Sequence, residues 1–167
     1  KVRALGEYIE RYCLDHPFGE LRKASYNKLE ENALNPELCL NFREEDMANR
    51  GSEYKKLILD KPLLWIQGFD ENNSRSILVP AQLVYIGYPF DEPIIRPRVS
   101  TGTAASESYD GAVTSGIFEN IERDSYMIKY LSKEKLKKIK LDGSLKKLEK
   151  YFNRYNLKIN VFETTTD

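Results

Sequence analysis

The chain is predicted to be an α+β protein, and three observations carry that prediction. Apolar residues recur at helical spacing in two well-separated places, near residues 2–14 and from about Ser108 to Leu131. Between them, two β-rich runs are joined by a cluster of turn-forming residues. The resulting order of helix, strands, helix, helix and strand favours a mixed sheet with helices packed on it.

Val2, Leu5, Ile9, Tyr12 and Cys13 define the first helix, which Asp15-His16-Pro17 should end. His16, just before a proline, reads as a capping or surface residue. Glu7, Glu10 and Arg11 lie mostly off the apolar stripe and so are available to a cleft. A polar helix is expected at 19–33, followed by mixed signals over 35–60 with one strand or short helix around Leu38 to Phe42. Residues 62–69 read as a strand. Asp70-Glu71-Asn72-Asn73-Ser74 is a turn leading into Ser76-Ile77-Leu78-Val79, which makes a hairpin. Pro80 should interrupt, Gln82 to Ile86 should continue extended, and Tyr88 to Pro97, with three prolines, should be a loop. In the long helix from Ser108 to Leu131, Ala112, Gly116, Ile117, Ile121, Ile128 and Leu131 are small or apolar. A basic connector, Lys133 to Leu141, leads to a helix from Ser144 to Tyr155 with Ser144 as N-cap and Asn156 as C-cap. Leu157 to Phe162 then alternates as a strand.

A length of 167 residues suits one domain or part of a larger one; the pattern is already helical at Lys1 and stops at Asp167 after a strand-like run, so a partial domain is expected. Lys plus Arg and Asp plus Glu are equal at 26 each, which gives no global field toward nucleic acid or an anionic membrane. No stretch is long and apolar enough for a membrane span and no signal-peptide pattern opens the chain, so a cytoplasmic location is expected. Cys13 and Cys39 are too few for a disulfide framework, and with His16 they lack a fourth zinc ligand.

The chemistry-bearing feature is a repeated string, Glu7-Tyr8-Ile9-Glu10-Arg11 and Glu119-Asn120-Ile121-Glu122-Arg123. With 17 Glu and 10 Arg in the chain, chance would supply about 0.1 copies of E-x-x-E-R at these composition-level rates. On a helix, positions i, i+3 and i+4 share a face, so each copy presents two carboxylates and a guanidinium together, a set able to hold a hard cation and a phosphate. The plain alternative is an i, i+4 surface salt bridge worth about 0.3–0.5 kcal/mol. Close before the second copy, Ser100-Thr101-Gly102-Thr103-Ala104-Ala105-Ser106 offers small side chains, amides and hydroxyls to a ligand, although such runs are often simple turns. No G-x-x-x-x-G-K-[ST] loop occurs. The lysines between Lys133 and Lys147 fit a solvated linker, and Trp65 and the tyrosines fit core or cleft walls.

The run from Pro97, PRVSTGTAASESYDGAVTSGIFENIERDSYMIKYL, resembles the central segment of the YcaO family. ALGEYIERY resembles that family's earlier E-x-x-E-R helix, LLWIQGFD with ILVPAQLVY its hairpin, and VFETTTD the strand that follows. The resemblance runs through nearly the whole chain in order.

It implies a YcaO-like domain with a nucleotide site between the two E-x-x-E-R helices, and an ATP-dependent enzyme acting on peptide backbone amides. In that chemistry a Cys, Ser or Thr side chain of a precursor peptide attacks the preceding carbonyl, ATP phosphorylates the oxyanion, and phosphate leaves to give an azoline; external sulfide would instead give a thioamide. Phosphorylation makes a poor leaving group a good one, and magnesium stabilises the transferring charge. Carried over residue by residue, Glu7, Glu10, Glu119 and Glu122 match magnesium ligands, Arg11 and Arg123 match nucleotide-contacting arginines, and Ser100 falls in the ATP-site loop. The catalytic groups are expected beyond Asp167. Arg3 stands where the family often has Ser, and Gly111 where it often has Glu. The implied cofactors are ATP and Mg2+. The implied partners are a precursor peptide and a leader-peptide-binding protein, with a homodimer left open and neither nucleic acid nor membrane expected. A nucleotide-binding or interaction module without turnover is the alternative of another class.

Overall fold

A computed structural model describes residues 2–29, 32–40 and 58–165, and two compact units divide the chain, Lys1–Glu107 and Ser108–Asp167. The first unit begins with helix α1 (Val2–Asp15), as its apolar spacing predicts. Its end is set by local chemistry. His16 Nδ1 lies 2.9 Å from the Tyr12 carbonyl, an acceptor that a helix end leaves without an intrahelical partner, and the imidazole stacks on the Tyr12 ring at 4.2 Å. His16 is therefore a cap. The same end is anchored to the unit because Leu14 is buried and its carbonyl accepts the Ile86 N–H at 2.9 Å. Gly87 lies against the Asp15 carboxylate, which a Cβ there would strike. Of the predicted apolar stripe, Leu5, Ile9 and Tyr12 remain exposed.

The hairpin forms as predicted. Strands β1 (Arg22–Ala24), β2 (Leu63–Asp70) and β3 (Arg75–Pro80) make a three-stranded antiparallel sheet in the order β1-β2-β3. At its turn the Asp70 carboxylate accepts from Asn73 Nδ2 at 2.7 Å and from the Asn73 N–H at 3.2 Å, and Ser74 takes the left-handed conformation at φ 47°. Those bonds, with Asn73 foremost and Arg75 assisting, hold the Asp70 carboxyl below the usual range. Leu63 and Trp65, two apart on β2, point into a core shared with Ile58 and Ile95, all four without solvent exposure. The Trp65 indole N–H donates to the Ala24 carbonyl at 2.9 Å, so the buried ring has no unsatisfied donor.

The predicted polar helix at 19–33 is not formed. Gly19 has φ 116°, and the stretch instead supplies β1, a 3-10 turn at Tyr26–Lys28 and a parallel bridge from Ala33 to Leu78; residues 30 and 31 lie outside the described set. The physical reason is that both edges of the hairpin carry backbone groups that need partners, and this demand exceeds a weak helical propensity. Pro36–Cys39 is a 3-10 turn capped by Asn35, whose side chain accepts the Glu37 N–H at 3.0 Å, so the short-helix expectation holds there. The rest of that expectation, Asn41 and Phe42, and the mixed stretch through residue 57 lie outside the described residues.

Pro80 ends β3 rather than breaking it, and the run after it is not extended: Ala81–Leu83 is a 3-10 turn. Gln82 explains this. Its side chain, 4% exposed, donates to Glu92 Oε1 at 2.7 Å and to the Pro93 carbonyl at 2.9 Å, and accepts the Ile95 N–H at 2.8 Å. Glu92 Oε2 also accepts the Leu64 N–H of β2 at 2.6 Å. The proline-rich loop is thus tied to the sheet by two side chains. Burial pushes the Glu92 carboxyl up, against the opposing pull of Leu64 and Gln82.

In the second unit, α2 (Tyr109–Ser132) matches its prediction, with Ser108 Oγ accepting the Gly111 N–H at 3.2 Å and Lys133 at φ 54° ending it. Ile117, Phe118, Ile121, Met127, Ile128 and Leu131 are exposed on it. Helix α3 (Gly143–Asn153) starts one residue before the predicted cap, so Asp142 and not Ser144 occupies the N-cap position. The helix ends at Asn153 and not Tyr155, with Arg154 and not Asn156 at the C-cap position; Asn156 follows in the left-handed conformation, at φ 57°, where the Leu157 N–H returns to the Phe152 carbonyl at 3.2 Å. The predicted strand from Leu157 to Phe162 reduces to one antiparallel bridge between Lys138 and Phe162, because its described partner is the lysine-rich connector, whose exposed side chains offer little surface to pack on.

Two outcomes follow for unfolding measured with urea. Trp65→Ala removes a fully buried ring and should cost about 3–5 kcal/mol. A raised carboxyl favours the folded state fully below the ordinary glutamate pKa, and that contribution is lost as pH rises through the raised value. Stability of the unsubstituted protein should therefore fall along that limb, and Glu92→Gln should flatten it.

Candidate functional site

The first unit holds Glu7, Glu10, Arg11 and Ser100, and the second holds Glu119, Glu122 and Arg123. In α1, Arg11 binds Glu7 Oε1 through Nε at 3.0 Å and Nη2 at 2.9 Å, with the two side chains 55% and 60% exposed. In α2, Arg123 Nη2 lies 3.4 Å from Glu119 Oε1, with Glu119 only 28% exposed and Glu122 at the surface. The arginine of each motif is therefore paired with the first glutamate of the same motif one helical turn away. Such pairs contribute little to stability and leave each helix with a guanidinium and carboxylates on one face.

Glu10 has a different partner. Its Oε1 accepts the Thr103 hydroxyl at 2.7 Å, across 93 positions of sequence. Thr103 closes a turn that begins at Ser100: the Thr103 N–H donates to the Ser100 carbonyl at 3.1 Å, and Gly102 sits at φ 89°, a conformation that the third turn position requires and glycine supplies freely. Arg98 secures the chain just before this turn, donating to the carbonyls of Ile86 and Tyr88 at 2.8 and 2.7 Å and lying 5.6 Å over the Phe90 ring. The small-residue stretch flagged in the sequence is thus a turn that meets the first acidic motif. Sequence reasoning flagged the stretch but not the role of Thr103, since no local spacing reports a contact between α1 and residue 103. It also missed Gln82, read as part of an extended run, and Glu92, whose position in a proline-rich loop carries no periodic signal.

Carboxylate and hydroxyl oxygens suit a hard cation such as Mg2+, which with a nucleotide takes one or two protein carboxylates and completes its shell with phosphate oxygens and waters. Among the described residues no three His, Cys, Asp or Glu side chains converge as a protein-only metal cage. The donor set fits Mg2+ carried with a phosphate ligand, and the planar arginines suit the phosphate. No described helix is long and apolar enough to cross a membrane.

This arrangement is that of a mixed α/β protein with two acidic-arginine helices, and a family model described as YcaO cyclodehydratase, ATP- and Mg2+-binding, matches residues 1–167. The chain belongs to the YcaO family. It is similar to a solved heterocyclase in complex with substrate and cofactor, at TM-score 0.78 and 21% identity over 98% of this chain and 24% of that one. The heterocyclase TruD follows at TM-score 0.73 and 24% identity, covering 99% of this chain and 26% of that one. YcaO from Methanopyrus kandleri, bound with AMPPCP and Mg2+, matches at TM-score 0.64 and 21% identity over 92% of this chain and 35% of that one. At these identities the likeness shows the fold. An uncharacterized protein in the tfuA 3' region of Rhizobium leguminosarum bv. trifolii is 27% identical over 114 residues, 64% of this chain and 27% of that protein. The chain thus spans about a quarter to a third of the length of these relatives.

Because the Arg11–Glu7 pair is exposed, its loss in Arg11→Ala should cost about 0.5 kcal/mol of unfolding free energy. A loss of nucleotide affinity tenfold or more, about 1.4 kcal/mol, measured on the same variant by calorimetry, would therefore report a ligand contact and not a weakened helix.

Proposed function

We propose that this chain is the nucleotide-binding part of an enzyme that uses ATP and Mg2+ to activate a backbone amide of a ribosomally made peptide, forming an azoline. The observation that carries this reading is the match of the whole chain to a family described as a cyclodehydratase that binds ATP and Mg2+, with both E-x-x-E-R motifs intact on helices. Glu7, Glu10, Glu119 and Glu122 would hold the metal, Arg11 and Arg123 would contact phosphate, and Ser100 would belong to the ATP loop. Bound ATP would supply the phosphoryl group that converts the amide oxygen into a leaving group, and Mg2+ would stabilise the charge of that transfer.

The chain's own part is electrostatic. Arg11 and Arg123, now paired with Glu7 and Glu119, would contact phosphate oxygens of the nucleotide, and Glu7 and Glu119 would then be available to the cation. Each exchange would replace an ion pair within one helix with charge-assisted bonds to a ligand. The peptide is the substrate partner, and a leader-binding protein would present it.

The test uses the full-length protein with its precursor peptide, ATP and Mg2+. Phosphate release should accompany loss of one water from the peptide for each ring formed. Glu119→Gln and Glu122→Gln should each lower phosphate release on the order of 100-fold, the scale of losing one preorganised charge-stabilising group. Sulfur gain in place of water loss would assign a thioamide product. Nucleotide binding without phosphate release would assign a non-catalytic module, and unchanged nucleotide affinity in both variants would reduce the motifs to surface ion pairs.

A further inference from the structure

The Thr103 hydroxyl oxygen lies 2.7 Å from Glu10 Oε1 and 2.7 Å from the Ser100 carbonyl, yet it has one proton to give. A charged acceptor draws that proton more strongly than a neutral one, so with Glu10 ionised and no cation at hand it goes to the carboxylate. A cation on other lone pairs of Glu10 would leave that bond in place, so the hydroxyl would hold the carboxylate in the same orientation with and without the metal. An ionised carboxylate offers about four lone-pair positions, and Thr103 occupies one. A metal would use the others. Glu10 is half-buried beside this turn, whereas Glu7 is exposed and paired with Arg11, so the two carboxylates of α1 are held in different ways.

From this geometry we infer that Thr103 is a positioning residue that fixes the Glu10 carboxylate for Mg2+, and that it contributes to metal affinity without itself touching nucleotide. The inference rests on the reading of Glu10 as a magnesium ligand. Outer hydrogen-bond partners of metal ligands commonly change metal affinity about 10–100-fold when removed. Thr103→Val keeps the shape and deletes the hydroxyl, and Thr103→Ser keeps the hydroxyl.

The experiment titrates Mg2+ against a fixed concentration of the ATP analogue AMPPCP in the full-length protein by calorimetry, with thermal unfolding of each variant alongside. Thr103→Val should raise the Mg2+ concentration at half-saturation about 10-fold, leave AMPPCP affinity at saturating Mg2+ unchanged, and be rescued by Thr103→Ser. A lower unfolding temperature with no shift in the Mg2+ midpoint would overturn the inference and make Thr103 purely structural. Weaker AMPPCP binding at saturating Mg2+ with an unmoved midpoint would overturn it too, as a direct nucleotide contact. Glu10→Gln separates the two levels. If it moves the midpoint and Thr103→Val does not, the positioning role fails alone; if neither moves it, or the unsubstituted protein does not bind AMPPCP with Mg2+, the metal-site reading fails with it.

Discussion

Pairing of β2 on both sides is the constraint from which the rest of the first unit follows. With β1 and β3 on its flanks, Leu63 and Trp65 are committed to one face, and the Trp65 indole reaches back to Ala24. Once the strand is fixed, the Leu64 N–H becomes the attachment point for Glu92, Glu92 holds Gln82, and Gln82 gathers Pro93 and Ile95. A loop that would otherwise be free to wander is thereby tied down. Just beyond it, Arg98 grips two carbonyls and the chain turns at Ser100–Thr103 to meet α1. A hydrophobic core and a candidate metal ligand are linked through hydrogen bonds and the short chain segments between them.

What the sequence disclosed follows physical range. Elements with strong local signals were legible: α1 from its apolar spacing, the β2–β3 hairpin from Asp70 to Ser74, and α2 from its length and its small and apolar positions. Elements decided by distant partners were not. Residues 22–24 have an unremarkable composition and become a strand because β2 needs an edge partner, while Gln82 and its neighbours leave the extended state because Glu92, Pro93 and Ile95 offer bonds that an extended chain could not make. The segment from Leu157 to Phe162 alternates correctly, yet its described partner is a lysine-rich connector that supports one bridge.

The candidate site divides in the same way. The two E-x-x-E-R motifs are local patterns, and each appears on a helix with the i, i+4 pairing that its spacing dictates. The family match adds to them an ATP- and Mg2+-binding context that residue spacing alone supports only in outline. Glu10 meeting Thr103 is a long-range event, invisible to any window that contains just one of them.

Each motif carries its own counterion. Arg11 lies on Glu7 and Arg123 on Glu119, so before any ligand arrives the excess negative charge of each cluster is one unit smaller than its carboxylates alone would give. An acidic cavity built for a divalent ion ordinarily faces a dilemma, since its ligands repel one another whenever the ion leaves. In each motif the guanidinium, one helical turn from its glutamate, offsets part of that repulsion. Each motif is thus partly neutralised from within its own helix.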